Sequence, residues 1–374
     1  MRNLVTIAYD LRYAADHFTG IGTHAWCLIE ALLELPGEER YVVLWDPRLE
    51  HRRYDPSLIA AHPRVTLVER RYGPLHPLGP VQVGAWLRKL RPDVYLSPFF
   101  FLPVGAPCPC VLTIHDLWPL RMPGGLSPVR GAIYRWSLER ARRARFIITS
   151  SEFSRREIVE LMRMPGARVT CIRLGTPTRR AAAAPRRPLA LPDGRYALVV
   201  GDNRPRKNLD VLAHAWAAFG EAPPLRLVSA GPVDRRYPSL PELAARARAR
   251  GVVGLGWVNE GELEWLYAHA DLVLFPSLYE GFGFPLVEAF DRGLAAVAAD
   301  IPTLREIGSG GARLVAPDSP EAWAGEVRRL AADRDARTLL GEAGRRLAAG
   351  MTYGRTAEAT LRVLRDAVAG GRAA

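Results

Sequence analysis

Lysine is almost missing from this chain. Of 51 basic residues only two, Lys89 and Lys207, are lysines; the rest are arginines. Cysteine is scarce as well, with four in 374 residues: Cys27, Cys108, Cys110 and Cys171. Only Cys108-Pro-Cys110 is a close pair, and neither a second pair nor a histidine stands at ligand spacing. A zinc site is therefore not expected, and the thiols read as reduced and partly buried. No apolar run approaches the roughly 18 residues that would mark a membrane span. The opening "MRNLVTIAYDLR" has a short apolar part interrupted by Asp10. It lacks the apolar region and cleavage site of a signal peptide and reads as a first strand, so a cytoplasmic location is expected.

What is present is an ordinary globular composition, 48% hydrophobic and 24% charged, in a chain long enough for two domains. The net charge of +12 is unevenly placed. Residues 1–190 hold 28 Lys and Arg against 16 Asp and Glu, whereas residues 191–374 hold 23 of each. A basic first half fits an anionic partner: nucleic acid, a phosphate-bearing substrate or an anionic membrane surface. It also fits solvated arginines on helix faces.

Strands and helices alternate throughout. "LVTIAYDL", "YVVLWD", "VTLVER", "DVYLSP", "CVLTIHD" and "FIITSS" read as strands of the first half, with helical stretches between several of them. Residues 176–194, rich in proline, alanine and arginine and without an apolar period, read as a linker. The pattern then restarts with "YALVVGD", "LRLVSAG", "VVGLGWV", "LVLFPS", "AAVAAD" and "ARLVAP". Such alternation predicts an α/β protein of two doubly wound parallel-sheet domains, Rossmann-like, facing a central cleft. The expected division is residues 1–175, the linker 176–194, residues 195–353, and a C-terminal helix 354–374 crossing back to the first domain.

Ligands of doubly wound sheets sit outside the carboxyl ends of strands, near helix N-termini. Four loops are placed there. Thr19-Gly20-Ile21-Gly22-Thr23 offers two glycines just before a helix, where backbone N–H groups can approach an oxyanion, although a plain turn reads the same way. His115-Asp116 ends the strand "VLTI"; a histidine there can face the cleft or be structural. "GDNRPRKNLD" puts Arg204, Arg206 and Lys207 at the mouth of a helix, where they can neutralise a diphosphate. A lysine at 207 runs against the chain's habit of using arginine. In "PSLYEGFGFPLVEAF", Gly281 and Gly283 can turn N–H groups toward a ligand, and Pro285 suits a first helical turn. Glu280 falls in the loop and Glu288 one turn into the helix. Two carboxylates around a helix N-terminus suit a ligand that carries both diols and phosphate, as a nucleotide sugar does.

That stretch resembles the E-x7-E signature of the retaining glycosyltransferases of family 4, which have the two-domain GT-B fold. The resemblance covers nearly the whole chain: "TGIGTHAWCLIEAL", "VLTIHDLWPLRMP", "IITSSEFSRREI", "VVGDNRPRKNLDVLAHAW" and "GVVGLGWVNEGELEWLYAHADLVLFPS" follow in the family's order. It implies that Glu288 binds the ribose hydroxyls. Glu280, with the backbone of Gly281, Phe282 and Gly283, holds the donor sugar. Lys207 and either Arg204 or Arg206 neutralise the diphosphate, helped by the glycines Gly20 and Gly22. The base stacks near Gly256, Trp257 and Val258, and His115 lies close to the reacting sugar. Asp202 stands where the family often has an arginine, which is why the arginine role falls to one of the two that follow. "FDRGLAAVAAD" also departs from the family's usual A-x-G-x-P-V, in a segment that shapes the donor pocket.

The implied reaction is transfer of a hexose with retention, in which the departing phosphate helps to deprotonate the acceptor. A nucleophilic Glu280 is the alternative route. GDP-mannose is the expected donor, by resemblance to mannosyl- and rhamnosyltransferases of polysaccharide assembly, and a glycan or lipid-linked molecule the acceptor. The only D-x-D triplet, Asp333-Arg334-Asp335, reads as solvated charge on a surface helix, so no metal and no other cofactor is expected. The three phenylalanines of "SPFFFLP" either pack in the core or, beside the basic charge, meet an anionic membrane surface peripherally. A nucleotide-sugar epimerase on the same fold and a basic nucleic-acid-binding protein are the competing readings. The second lacks any recognisable reader module, so no nucleic acid is expected.

Overall fold

The computed structural model describes residues 4–15, 19–49, 53–71, 73, 74, 76, 78–122, 126–177 and 184–371. It divides into two compact units, Met1–Thr178 together with Thr352–Ala374, and Arg179–Met351. Residues 178–183 of the expected linker lie outside the described residues.

The first unit is built on seven strands: β1 (Thr6–Asp10), β2 (Arg40–Trp45), β3 (Val65–Glu69), β4 (Val94–Ser97), β5 (Cys110–Thr113), β6 (Phe146–Thr149) and β7 (Val169–Cys171). Their order is β3-β2-β1-β4-β5-β6-β7, and every pairing is parallel. The inner strands β1, β2, β4, β5 and β6 are mostly buried, which is why they read as apolar runs rather than as alternating ones, whereas the edge strand β3 is only partly buried. One face is covered by the helices Thr19–Glu34 and Tyr353–Gly371, the other by Gly79–Leu90, Pro128–Ala141 and Glu152–Leu161. The sequence reading has no counterpart for β7. It is three residues long and has one apolar residue, too short to carry a period.

The second unit has six parallel strands: β8 (Tyr196–Val200), β9 (Arg226–Ala230), β10 (Val252–Gly256), β11 (Leu272–Phe275), β12 (Ala296–Ala299) and β13 (Ala312–Val315). Their order is β10-β9-β8-β11-β12-β13. All six match strands expected from sequence. Both sheets are doubly wound. The direction of winding reverses between β1 and β4 in the first unit and between β8 and β11 in the second, and these switch points leave a crevice at the carboxyl ends.

Two expectations change in detail. Gly20 and Gly22 are not in a loop before the first helix but inside its first turn, since the helix starts at Thr19. A Cβ at Gly22 would stand 3.0 Å from the Tyr13 carbonyl oxygen and 3.3 Å from that of Ala15. The helix start is thus pressed on the chain leaving β1, an approach that favours glycine. The D-x-D triplet has a capping job. Asp333 accepts a hydrogen bond from the Ala336 amide at 2.8 Å and so starts the helix Arg334–Ala348.

Candidate active site

A cluster of charged side chains lies at the carboxyl edge of the second sheet, where the loops after β8 and β11 meet at its switch point. Three glycines shape the strand exits. Gly201, Gly231 and Gly256 have φ of 145°, 146° and 68°. The Gly201 amide donates to Ala230 O at 2.9 Å and the Gly231 amide to Gly256 O at 2.7 Å. Asn203 then ties the first loop to the second, donating to the carbonyls of Asp234, Tyr237 and Pro238 while accepting from the Asp234 amide at 2.7 Å. Asn208, left-handed at φ 53°, donates to Pro276 O at 3.1 Å and Pro317 O at 2.7 Å. The Leu278 amide donates to Arg206 O at 2.8 Å. These bonds fix the loop carrying the cations against the loop carrying the carboxylate.

On that scaffold Lys207 Nζ donates to Glu280 Oε1 at 2.6 Å, and Arg206 donates to the same oxygen at 3.2 Å. Both cations are largely buried, and Lys207 also lies 5.1 Å from the centre of the Phe275 ring. Burial alone would raise the Glu280 carboxyl, but Lys207 and Arg206 more than offset this and hold it below its ordinary range. Burial, with Arg206 adding to it, lowers Lys207 despite the attraction of Glu280. Arg206 also lies 3.7 Å from Asp202, so the two cations are shared between two carboxylates in a poorly solvated place, where an anionic ligand can accept from their N–H groups. Arg204 points elsewhere, 3.7 Å from both Asp202 and Asp234, and is more exposed. Of the two arginines the sequence left open, Arg206 is the one that converges with Lys207.

Glu280 is held from behind by Thr303, whose hydroxyl donates to its carbonyl at 2.7 Å. Gly283 (φ 112°) caps the helix Phe284–Asp291, with Pro285 in the first turn. A Cβ there would stand 3.0 Å from Leu304 and 3.1 Å from Phe275. Gly281 and Phe282 are buried in the same turn, and the Phe282 ring packs on Phe284. Glu288, further along the helix, accepts a hydrogen bond from the Tyr267 hydroxyl at 2.7 Å. Burial, then the Glu288 carboxylate, raises the Tyr267 phenol, so it stays a neutral donor. Arg292 lies over the Tyr267 ring at 4.4 Å and pairs with Glu264. Gly256 ends β10 beside Trp257, which is half exposed, and Val258.

The first unit has its own carboxyl edge. His115 follows β5, and its Nε2 lies 3.0 Å from Pro98 O. A carbonyl only accepts, so Nε2 carries the proton. Burial, partly offset by that bond, pushes His115 down to about 4. Beside it is His24 of the helix Thr19–Glu34, with ring centres 5.2 Å apart. Burial and His115 lower His24 as well, and among the described residues neither of its ring nitrogens has a hydrogen-bond partner. At the end of β1, Asp10 and Arg12 form a buried pair at 2.6 Å, and Tyr95 donates to Asp10 at 2.9 Å. The phenylalanines of "SPFFFLP" take the core option. Phe99, Phe100 and Phe101 pack on each other and on Tyr13 and Tyr134.

Sequence reasoning missed Asn203, Asn208, Tyr267 and Arg292. Asparagine at a strand exit and before a helix was a usable signal for the first two. Tyr267 sits beside Leu266 in the helix Glu260–His269 and reads as core, and only the fold brings it to Glu288. Among the described residues, no group of three or more His, Cys, Asp or Glu side chains is placed to hold a metal ion.

The profile described as Glycosyltransferase Family 4 matches residues 18–180, and that described as Glycosyl transferases group 1 matches residues 194–333. The chain is similar to the O-antigen chain mannosyltransferase B of Escherichia coli, 31% identical over 282 residues that make up 72% of each chain. It is also similar to the D-inositol 3-phosphate glycosyltransferase of Kineococcus radiotolerans, 33% identical over 248 residues, which cover 59% of this chain and 57% of that one. Sucrose-phosphate synthase of Thermosynechococcus elongatus has the same fold, with a TM-score of 0.71 at 18% identity over 98% of this chain and 100% of that one. HepE of Anabaena, determined in complex with UDP, gives 0.66 at 16% identity over 97% of this chain and 100% of that one. Two parallel-sheet units of these strand orders make up the GT-B fold, and the relatives place a glycosyltransferase on it. The chain belongs to the glycosyltransferases of family 4. That decides for a transferase over the epimerase and nucleic-acid readings.

Proposed function

We propose that this glycosyltransferase moves a mannosyl group from GDP-mannose to a glycan or lipid-linked acceptor, with retention of configuration and without a metal ion. The observation that carries the reading is the pair Arg206–Lys207 converging on one oxygen of Glu280 at the switch point of the second sheet. Relatives named as mannosyltransferases favour mannose.

In this reading the diphosphate docks against Lys207 and Arg206. Glu288, positioned by Tyr267, takes the ribose hydroxyls, and the base lies by Gly256, Trp257 and Val258. Glu280 and the turn Gly281–Gly283 hold the sugar. The bond from the anomeric carbon to the diphosphate oxygen breaks and leaves GDP, whose growing negative charge the two cations stabilise. The acceptor oxygen bonds to the anomeric carbon on the same face, and its proton passes to the departing phosphate. His115 is neutral and its Nε2–H is committed to Pro98 O, so it does not deliver a proton. Glu280 is a poor nucleophile here, because Lys207 and Arg206 hold its carboxyl below the ordinary range and so weaken it as a base. The excess positive charge of residues 1–190 supports an anionic, lipid-linked acceptor, met by the protein as a peripheral visitor to a membrane face.

Calorimetric titration with GDP, UDP and dTDP, without metal and then with magnesium, tests the donor. GDP should bind best, with magnesium changing little. Binding of none of the three would overturn the assignment. Proton NMR of the glycoside formed from GDP-mannose then checks that the linkage keeps the donor's configuration.

A further inference from the structure

The loop after β8 holds a carboxylate that has no task in binding the donor. Asp202 follows Gly201 directly and is largely buried. Its Oδ1 accepts a hydrogen bond from the Arg204 amide at 3.2 Å, which turns the chain as it leaves the strand. Its Oδ2 lies 3.7 Å from Arg204 Nη1 and 3.7 Å from Arg206 Nη2. Those are ion-pair distances, beyond hydrogen-bond reach. The other terminal nitrogen of Arg206, Nη1, donates to Glu280 at 3.2 Å. One guanidinium is thus set between two carboxylates that are not alike. Glu280 accepts from both cations and is anchored through its carbonyl by Thr303. Asp202 draws on Arg206 through charge alone.

Lys207 lies within the field of Asp202 as well. Burial lowers the amine, and Asp202 is, with Glu280, one of the two carboxylates that oppose this. The third carboxylate of the cluster, Asp234, is occupied elsewhere: Arg236 donates to its two oxygens at 2.9 and 2.6 Å. An anion seated on Arg206 and Lys207 therefore has one rival outside the sugar-holding loop, and it is Asp202. The two forms of the ligand do not meet that rival equally. A nucleoside diphosphate carries one negative charge more than the nucleotide sugar it comes from, on the terminal phosphate that has lost the sugar. Repulsion from a fixed carboxylate grows with that charge, and it is weakly screened where solvent is sparse. Cations that stabilise a departing diphosphate also hold it afterwards, and release of product then limits turnover in many enzymes.

We propose that Asp202 is a positioning residue for product release: it offers Arg206 a second partner, weakens the hold on the nucleoside diphosphate more than on the nucleotide sugar, and so keeps the product from occupying the site. This role rests on Lys207 and Arg206 being the diphosphate site, as proposed above. Arg206 turns to Asp202 as the product departs, and the next nucleotide sugar meets a weaker rival than the product did. The hydrogen bond from the Arg204 amide holds the Asp202 carboxylate in place for this exchange.

The test is Asp202→Asn in the full chain, at a pH of about 8, where the terminal phosphate of GDP is ionised. Asparagine keeps the oxygen that accepts the Arg204 amide and removes only the charge. By calorimetry Kd should fall by about tenfold for GDP and by about threefold for GDP-mannose. In steady-state assays the inhibition constant of GDP, relative to KM for GDP-mannose, should fall by about threefold as well. Asp202→Ser, whose hydroxyl also accepts a nearby amide, should move both constants in the same directions and stands in if the asparagine variant folds poorly. Structural damage weakens binding, so tighter binding of product separates this role from a merely structural one. Unchanged or weaker GDP binding in both variants, with wild-type circular dichroism, would overturn the proposal and leave Asp202 a turn residue. Equal tightening of GDP and GDP-mannose would also overturn it, because the carboxylate would then not discriminate product from donor. A wild-type chain that binds neither ligand would instead sink the donor reading, and this role with it.

Discussion

Glu280, Lys207 and Arg206 share one oxygen, and the consequences belong to single side chains. If the two cations stabilise the leaving diphosphate, Lys207→Ala and Arg206→Ala should each lower kcat by roughly 10²- to 10³-fold, as removal of one preorganised donor does elsewhere. Arg204→Ala, aimed at Asp202 and Asp234, should change kcat by no more than a few-fold. Steady-state kinetics on the three variants decide the matter, and an Arg204 effect as large as that of Arg206 would reverse the assignment. The sequence narrowed the arginine to two positions and could go no further. Both follow the same strand, and only the tertiary path of the loop turns one toward Glu280. The histidines yield a second expectation. His115 titrates near 6.5 in the unfolded chain and at about 4 when folded. Between those values the unfolded chain binds a proton that the folded chain refuses. Stability is therefore fully present above pH 6.5 and is lost as pH falls toward 4, by about 3 kcal/mol for one such group. His24, lowered in the same way, adds to the slope. Urea unfolding between pH 7 and 5 should show the midpoint falling. His115→Gln, which keeps a donor for Pro98 O, should flatten that fall, and an unchanged slope would show that other groups cause it.

At the scale of elements, the strand exits hold more of the site than the helices do. Gly231 is the tightest of the three glycines at these exits. A Cβ there would lie 2.1 Å from the Gly201 carbonyl oxygen, and its φ of 146° is strained for any other residue. Gly231→Ala should therefore cost about 2 kcal/mol or more. It should also weaken GDP binding, because Gly201 leads directly into the cation loop. Chemical denaturation and calorimetry on this one variant check both, and a variant with wild-type binding would mean that the loop is positioned independently of the β9 exit. The elements were legible where they repeat a period. All six strands of the second unit stand out because buried parallel strands are short apolar runs bounded by turn residues. Short elements were not: β7, and the helices Pro56–Ala60 and Trp118–Arg121, span less than two helical turns or one strand repeat. The start of helix Thr19–Glu34 was misplaced for a different reason. Two glycines mark a loop in most contexts, and here they mark a close approach of helix to backbone. Within the site, Glu280 and Glu288 were legible because charge inside an apolar stretch is conspicuous, and Lys207 because lysine is rare in a chain that otherwise uses arginine. Tyr267 was hidden because a tyrosine among apolar residues is not.

For the whole molecule, the helix Tyr353–Gly371 matters most. It follows the last residue of the second unit in sequence yet packs in the first. Ala357, Leu361, Leu364, Ala367 and Val368 are buried in the same core as Leu28, Ile29 and Leu32 of helix Thr19–Glu34. Thr356 donates to Arg173 O at 2.9 Å, and Arg365 pairs with Glu39, at 3.1 Å through Nε. Gly175 lies so near Tyr353 that a Cβ would stand 2.1 Å from its amide nitrogen, so the outgoing and returning segments touch. Each buried leucine or valine contributes about 1.5–3 kcal/mol. Losing three of them, with two alanines, removes an amount comparable to the 5–15 kcal/mol that stabilises a whole domain. A chain ending at Met351 should thus leave the first unit unfolded. The second, whose cores on both sheet faces lie within residues 179–351, should stay folded. Trypsin, with arginines throughout the chain to cut at, reads the outcome. Mass spectrometry of the truncated protein should find a resistant fragment beginning near residue 184 and rapid loss of everything before it. The full chain should resist in both units. Equal resistance of both units in the truncated chain would make the helix an accessory and move the source of the first unit's stability to its sheet.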